Sequence, residues 1–288
     1  MMGIQKAKHL FLEMDKKKPA IDSQYMMFEK HDGWFGYADF PSCIINSRQL
    51  REIPSLVDIS NVLRANAPKI RGRLIFEIMI EGYEVDRFHE LNGILNRKYE
   101  QAEDVYLRVH DFIPDFNFCK MKASQRYALA CEIVHKIGLP NVLMSPLLGI
   151  SNDPIQWHRI AEKIQSDGGE GLILKDSEAL YTAGKRISTL MKIKEECTVE
   201  MLVTKVIEGQ GDHEGMAGKL VCKDEVNQLH EIGMGCMKHD QRIECFHNPH
   251  LIIGKVVEVK AMKKLKDGKY REPRFKCERF DKEVHELG

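Results

Sequence analysis

Short apolar runs and helix-like stretches alternate along the first two thirds of the chain. The run from Arg73 to Ile80 is apolar apart from Glu77, which predicts a buried strand. Two helices are predicted, from Ser124 to Gly138 and from Asp153 to Gly168, because each has a capping residue at its start and glycine at its end. A short strand is predicted at Gly171–Lys175. This mixture predicts an α+β fold in which helices pack on antiparallel sheet.

Each predicted helix has one apolar face that we expect to point inward. The first helix has Tyr127, Cys131, Val134 and Ile137 on that face, and the second has Trp157, Ile160 and Ile164. Ser124 is expected to cap the first helix, because its hydroxyl is able to accept from a backbone N–H of the first turn.

The pattern changes after Lys194, where short β-like runs are separated by glycine-rich turns and no helical period is apparent. These runs are Thr198–Ile207, Lys219–Cys222, His230–Met234 and Gly254–Ala261. About 90 residues of short strands predict a small barrel, and among basic barrels that face nucleic acid the OB fold is the commonest. We place the boundary near Glu196, so the predicted domains are residues 1–196 and residues 197–288.

Composition narrows the class of protein. The 288 residues carry 43 basic and 43 acidic side chains, so the net charge is zero and a uniformly basic nucleic-acid coat is excluded. No apolar run is long enough to span a membrane. The eight cysteines include no C-x-x-C pair, which predicts free thiols in a reducing, cytoplasmic compartment. One local segment, Lys255–Lys282, is basic; it is either a solvated strand pair or a face that contacts phosphates.

Three short motifs carry candidate chemistry. Lys30 lies beside Glu29 and Asp32, either in a solvated turn or as a nucleophile, and a lysine with an ordinary pKa of about 10.4 must first lose its proton. Glu170 precedes an apolar strand and is either a loop acid or a metal ligand. Lys192 and Lys194 share one face of a strand, which indicates either a bound phosphate or a solvent-facing strand edge.

The order of the motifs is more informative than any one of them. In chain order they are Lys30-His31-Asp32-Gly33, Ser47-Arg48, Glu77, His110-Asp111-Phe112, Glu170–Lys175 and Lys192-Ile193-Lys194. Together they resemble the covalent nucleotidyltransferases, specifically the small viral or bacterial ATP-dependent DNA ligases. The resemblance continues through Glu208–Gly211 and Gly218–Leu220 to Arg271–Phe275 and Arg279–Lys282. It implies a nucleotidyltransferase domain of the ATP-grasp-like ligase type, with antiparallel sheets and helices, followed by a C-terminal OB-fold β-barrel.

The resemblance also implies a reaction and roles for named residues. Lys30 would form a lysyl-AMP with ATP, the AMP would pass to the 5′-phosphate of a nick in duplex DNA, and the 3′-hydroxyl would displace it. The implied catalytic residues are Lys30, Asp32, Lys192 and Lys194, and Mg²⁺ would be held by Glu170 and Asp32. The implied ATP-binding residues are Glu29, Arg48, Glu77 (ribose), His110 (adenine, with Phe112 as a rival), Glu170, Arg279 and Lys282. The implied DNA-binding residues are Arg48, Arg186, Lys260, Lys263 and Lys264.

Two departures and several alternatives accompany this interpretation. Phe35 occupies the position where ligases usually carry an arginine, and Phe76 precedes Glu77 where Asp-Gly is usual. An RNA ligase, a GTP-dependent capping guanylyltransferase and a non-catalytic nucleic-acid-binding protein of the same fold remain open. We expect a monomer without a separate N-terminal DNA-binding domain; a role in replication or in repair stays open.

Overall fold

The computed structural model describes residues 4–10, 23–80, 87–114, 119–194, 196–262, 264 and 267–281. The chain divides into two compact units, Met1–Lys194 and Glu195–Gly288. None of the described helices is long and apolar enough to cross a membrane. All eight cysteines are free thiols.

Ten strands of the first unit form two five-stranded sheets. They are β1 (Lys6–His9), β2 (Tyr25–Glu29), β3 (Trp34–Phe40), β4 (Ile44–Ser47), β5 (Gly72–Ile80), β6 (Val105–Pro114), β7 (Val142–Met144), β8 (Leu147–Ser151), β9 (Gly171–Asp176) and β10 (Arg186–Lys194). The strand orders are β1-β10-β9-β2-β8 and β4-β3-β5-β6-β7. Most neighbours are antiparallel as predicted, but β1–β10 and β6–β7 are parallel; β6 and β7 are connected through a helix, which is the usual way to join parallel strands.

Among the described residues of this unit, four longer helices accompany the sheets: α1 (Val57–Asn66), α2 (Arg87–Leu95), α3 (Ala123–Ile137) and α4 (Pro154–Ser166). Helix α4 buries Trp157 and Ala161 against Leu172 and Leu174 of β9. Helices α1, α2 and α3 contribute to the largest core, which includes Phe76 of β5. The predicted strand at Arg73–Ile80 and both predicted helices are therefore confirmed.

Helix α3 differs from its prediction in two details. Its N-cap is Lys122 rather than Ser124, which lies inside the first turn. Its buried residues are Ala123, Arg126, Ala130, Ile133 and Ile137, whereas Tyr127, Cys131 and Val134 are only partly buried. The buried face of α3 includes the charged Arg126, so it differs from the face that apolar residues alone indicate. The end was predicted correctly, because Gly138 has a φ of 64°, where glycine has no side-chain clash.

The second unit is a closed five-stranded barrel of order β11-β12-β13-β15-β14. Its strands are β11 (Cys197–Glu208), β12 (Ala217–Lys223), β13 (Leu229–Gly233), β14 (Val256–Ala261) and β15 (Arg274–Glu278). Contrary to the sequence expectation, it also contains a helix, α5 (His239–His247). No residue of α5 is fully buried, and only Cys245 and Phe246 pack against the barrel core, so its apolar face is too short for a helical period to be recognised.

Candidate active site

A cavity of about 240 Å³ lies within the first unit. One wall comes from β2, β9 and β10, and the opposite wall from β3, β5 and β6, so both sheets contribute. The predicted site residues that line it are Glu29, Lys30, Arg48, Glu77, His110 and Lys192. Charged and hydrogen-bonding side chains on apolar sheet faces are typical of small-molecule sites.

Strand register brings Lys30 and Glu170 together. Strand β2 ends at Glu29 where antiparallel β9 begins, and the Lys30 backbone N–H donates to Gly171 O at 2.8 Å. The Lys30 ammonium forms an ion pair with Glu170, whose side chain is 10% exposed. Gly171 has a φ of 143°, and a Cβ there would lie 2.2 Å from Ile193 O, so only glycine allows this approach to β10.

Of the two lysines on β10, only Lys192 lines the cavity, because the two pair with different residues of β9. Lys192 lies opposite Ile173 of β9, which in turn lies opposite Phe28 of β2, and all three line the cavity. Lys194 shares that face but lies opposite Gly171, outside the lining. Lys192 therefore lines the cavity together with Lys30, whereas Lys194 does not.

The opposite wall carries Glu77 on β5, directly across from Phe35 of β3. Burial raises the pKa of Glu77 to about 8, although Lys30 and Arg48 lower it. The carboxyl is thus largely un-ionised at neutral pH and is able both to donate and to accept a hydrogen bond. The Arg48 guanidinium lies over the Phe35 ring, 4.8 Å from its centroid.

A β-bulge determines which residues of β6 face the cavity. Ile75 pairs with Asp111 and Phe76 pairs with Val109, so His110 is an extra residue on its strand. As a result both His110 and Asp111 line the cavity, whereas Phe112 is fully buried in the core. Burial, and then the nearby Lys175, lower the pKa of His110 to about 3, so its imidazole is neutral.

Three buried charged residues form an ionic cluster at the cavity wall: Arg126, Asp111 and Lys175. Arg126 donates to both Asp111 carboxylate oxygens, at 3.0 and 3.2 Å, and Lys175 Nζ donates to Asp111 Oδ2 at 3.2 Å. Lys175 Nζ also donates to His110 O at 2.9 Å. Burial opposes ionisation of Asp111, but Lys175 and Arg126 hold its pKa below the usual range. Burial lowers the pKa of Lys175.

Sequence reasoning gave no role to these two cations, nor to His31. The sequence contains a signal for each cation. Lys175 is two residues from Ile173 and so shares its strand face, and Arg126 has helical spacing with Ala123 and Ala130. His31 lines the cavity and its Nε2 is 3.0 Å from Ser145 Oγ. Burial, Arg108 and Lys30 lower the pKa of His31 to about 4, so it is neutral.

Other predicted site residues are not among those that line the cavity. Asp32 is not part of its lining but is near enough to influence the pKa of Glu77. In the barrel, Arg279 is bound by Asp281 at 2.8 Å and by Glu200. Lys260 pairs with Glu196, and Lys264 lies 5.3 Å from the Tyr270 ring centroid. Three more of the predicted site positions lie outside what the structure describes: Lys263, Lys282 and the side chain of Arg186.

Comparison with known proteins finds DNA ligases and one relative with a different name. Residues 208–279 match the family of DNA ligase OB-like domains. The chain is 23% identical over 218 residues to a DNA ligase of Nanoarchaeum equitans, covering 67% of this chain and 36% of that ligase. It is 28% identical over 195 residues to a protein of Archaeoglobus fulgidus named argininosuccinate lyase, covering 62% of this chain and 36% of that protein. The chain thus aligns with little more than a third of either relative.

Solved structures extend the likeness over the whole chain. A protein named Pmar-Lig superimposes with a TM-score of 0.75 at 24% identity, covering 98% of this chain and 68% of that one. A Lig E DNA ligase gives a TM-score of 0.73 at 21% identity, covering 97% and 100%. Chlorella virus DNA ligase-adenylate gives 0.53 at 18% identity, covering 98% and 99%.

The fold, an α+β unit followed by a closed five-stranded barrel, is similar to that of the solved DNA ligases over both units. Residues 208–279 are in addition similar to DNA ligase OB-like domains. The predicted fold class and the predicted resemblance are confirmed.

Proposed function

We propose that the protein is an ATP-dependent DNA ligase that seals nicks between a 5′-phosphate and a 3′-hydroxyl in duplex DNA. The observation that carries the proposal is the placement of the Lys30 amine, paired with Glu170, in one cavity with Lys192 and Glu77. A nucleophile, a carboxylate and a phosphate-binding cation in one place are what adenylyl transfer requires.

In the first step the Lys30 amine attacks the α-phosphorus of ATP. A P–N bond forms, the bond to the β-phosphate oxygen breaks, and pyrophosphate leaves with the bonding electron pair. The attacking amine must be unprotonated, so the Lys30 ammonium first passes one proton to the paired Glu170 carboxylate or to water, and a second N–H proton is lost to water as the P–N bond forms. Lys192 neutralises phosphate charge from inside the cavity, and Lys194 extends the positive charge along the same strand face.

The nucleoside half of ATP fits the second wall. The neutral imidazole of His110 offers a flat face for the adenine, and the un-ionised Glu77 carboxyl binds the ribose hydroxyls. Glu29 lines the same cavity and is available to the exocyclic amine of adenine. The adenylate in the name of the Chlorella virus ligase supports this assignment of the nucleotide.

The carboxylates near Lys30 fit Mg²⁺, which binds proteins through one or two carboxylates and shares phosphate oxygens with the nucleotide. Glu170 and Asp32 would hold the ion, and it would neutralise charge on the reacting phosphates.

The later steps move AMP onto the 5′-phosphate of the nick and then release it as the 3′-hydroxyl forms the new phosphodiester. The match of residues 208–279 to ligase OB-like domains supports DNA as the substrate. We assign phosphate contacts to Arg48, Arg186, Lys260, Lys263 and Lys264, and assign Arg279 and Lys282 to the departing pyrophosphate.

The experiment has two stages. The protein is incubated with Mg²⁺ and either ATP or GTP, and intact mass is measured; a single AMP adduct on wild type, absent from Lys30→Ala, is expected. Nicked duplex DNA and nicked duplex RNA are then tested for sealing. Labelling by GTP would support a capping enzyme, sealing of RNA alone an RNA ligase, and no adduct would overturn the proposal. The AMP adduct would also distinguish a ligase from a lyase, the kind of enzyme that the name of the Archaeoglobus relative implies.

A further inference from the structure

The Phe35 ring is close to both Arg48 and His110, two residues of the proposed nucleotide site. The Arg48 guanidinium carbon is 4.8 Å from the centroid of this ring, and the His110 ring centroid is 6.3 Å away at an interplanar angle of 55°. Glu77 is its direct neighbour on the adjacent strand. All four side chains line the same cavity.

Arg48 follows β4 and is exposed. No described residue forms an ion pair or a hydrogen bond with the Arg48 guanidinium, although its charge lowers the pKa of the nearby Glu77. The guanidinium lies instead on the face of the Phe35 ring. A guanidinium held on an aromatic face keeps its in-plane N–H donors available, and a planar fork of donors matches a phosphate.

Strand β3 contains a second arginine–aromatic stack, in which the arginine is already paired with a carboxylate. Two residues along β3, Tyr37 carries the guanidinium of Arg73 at 3.9 Å from its ring centroid. Arg73 donates to both carboxylate oxygens of Asp39, at 2.6 and 2.8 Å, so its donors are in use. Neither Tyr37 nor Arg73 lines the cavity.

We infer that Phe35 is a positioning residue that holds Arg48 ready for a phosphate group. This inference rests on the proposed function, because it takes the cavity to be the nucleotide site. A flexible arginine loses side-chain freedom when it binds, and a ring that already fixes the guanidinium plane reduces that loss. The phosphate belongs either to ATP or to the 5′ end at the nick.

Two assays distinguish these sources: formation of the lysyl-AMP from ATP, and sealing of a nick that already carries AMP on its 5′-phosphate. We expect Phe35→Leu to raise KM by about 3- to 30-fold, with little change in kcat, in the assay whose phosphate Arg48 holds. Phe35→Tyr keeps the ring and is expected to retain most of the affinity. Tyr37→Leu removes the other stack and is expected to leave both KM values at the wild-type level.

A double variant makes the test specific to Arg48. In an Arg48→Met background the guanidinium is gone, so Phe35→Leu should add less than about a twofold change in KM. An equal effect of Phe35→Leu with and without Arg48, or a wild-type KM in both assays, would overturn the inference while the proposed function stands. If wild type itself forms no lysyl-AMP, the proposed function has failed first, so the two failures are distinguishable.

Discussion

The buried ionic cluster at the cavity wall gives a ranked prediction about stability. It contains two cations, Arg126 and Lys175, and one anion, Asp111, and none of the three is more than 9% exposed as a side chain. Replacing Asp111 with Asn leaves two buried cations without a counter-ion. Replacing Lys175 with Met leaves a balanced pair of Arg126 and Asp111. The two substitutions should therefore differ greatly in cost although they affect the same cluster.

The magnitudes follow from the contacts. Removing one partner of a buried ion pair costs about 3–5 kcal/mol, and Asp111 is the partner of both cations. Lys175→Met loses two hydrogen bonds of about 1 kcal/mol each, offset by removal of a cation whose pKa burial already lowers. We expect less than about 2 kcal/mol for it. At about 2–4 °C per kcal/mol, the melting temperature should fall by roughly 6–20 °C for Asp111→Asn and by less than about 8 °C for Lys175→Met.

The dependence on pH has a definite sign. The folded-state pKa of Asp111 lies below its unfolded value of about 3.9, so its contribution to stability is fully present above that value and is lost as pH falls through the folded pKa. The gap in melting temperature between wild type and Asp111→Asn should be constant from about pH 5 to pH 8. It should narrow only in more acidic buffer, where wild-type Asp111 takes up its proton.

Thermal denaturation followed by circular dichroism measures these differences. Asp39→Asn is the matched control, because Asp39 also binds an arginine through both oxygens but its side chain is 34% exposed. Its loss should cost less than that of Asp111, since the charges left behind are better solvated. The reasoning is refuted if Asp111→Asn is no more destabilising than Asp39→Asn, or if Lys175→Met costs as much as Asp111→Asn.

Two further predictions concern the proposed site. Glu77→Gln should be more stable than wild type by an amount that grows from about pH 5 to pH 8, because a pKa raised to about 8 makes wild-type stability fall as pH rises through that window; a pH-independent difference in melting temperature would contradict this. Arg279→Ala should fail to form lysyl-AMP from ATP yet seal a pre-adenylated nick, and equal loss of both activities in gel-based assays would show that its contacts with Glu200 and Asp281 serve the barrel instead.

The helices and strands predicted from the sequence are those in which buried positions carry apolar residues. The strand at β5 is buried on both faces, and helix α4 has both a carboxylate cap at Asp153 and a large buried residue at Trp157. Helix α5 was missed because its residues are not buried, and β15 because its five residues are only partly buried or exposed. For such elements the barrel, rather than local pattern, determines the conformation.

The inward face of α3 was misjudged for a related reason. Hydrophobicity assigns an arginine to solvent, yet Arg126 is 2% exposed because Asp111 and two backbone carbonyls accept its hydrogen bonds. The partner that makes burial of the charge favourable lies on a strand, 15 residues away in the chain. Pairing of this kind depends on tertiary structure, so the spacing of Arg126 with Ala123 and Ala130 indicates a shared helix face but does not identify Asp111 as the partner.

The choice between His110 and Phe112 as the face for the adenine shows the limit most directly. The resemblance implied His110 with Phe112 as a rival, and alternation gives no reason to prefer either ring, because residues two apart in a regular strand point to the same side. The extra residue at His110 breaks that alternation: His110 and Asp111 line the cavity, and Phe112 packs in the core against Phe40, with ring centroids 5.7 Å apart. Lys175 then donates to the carbonyl of His110 and to the carboxylate of Asp111, so it contacts both residues that the bulge turns toward the cavity. The bulge and the buried ionic cluster therefore act together, and the shape of the proposed adenine site depends on contacts among β6, β9 and α3 that only the fold brings into register.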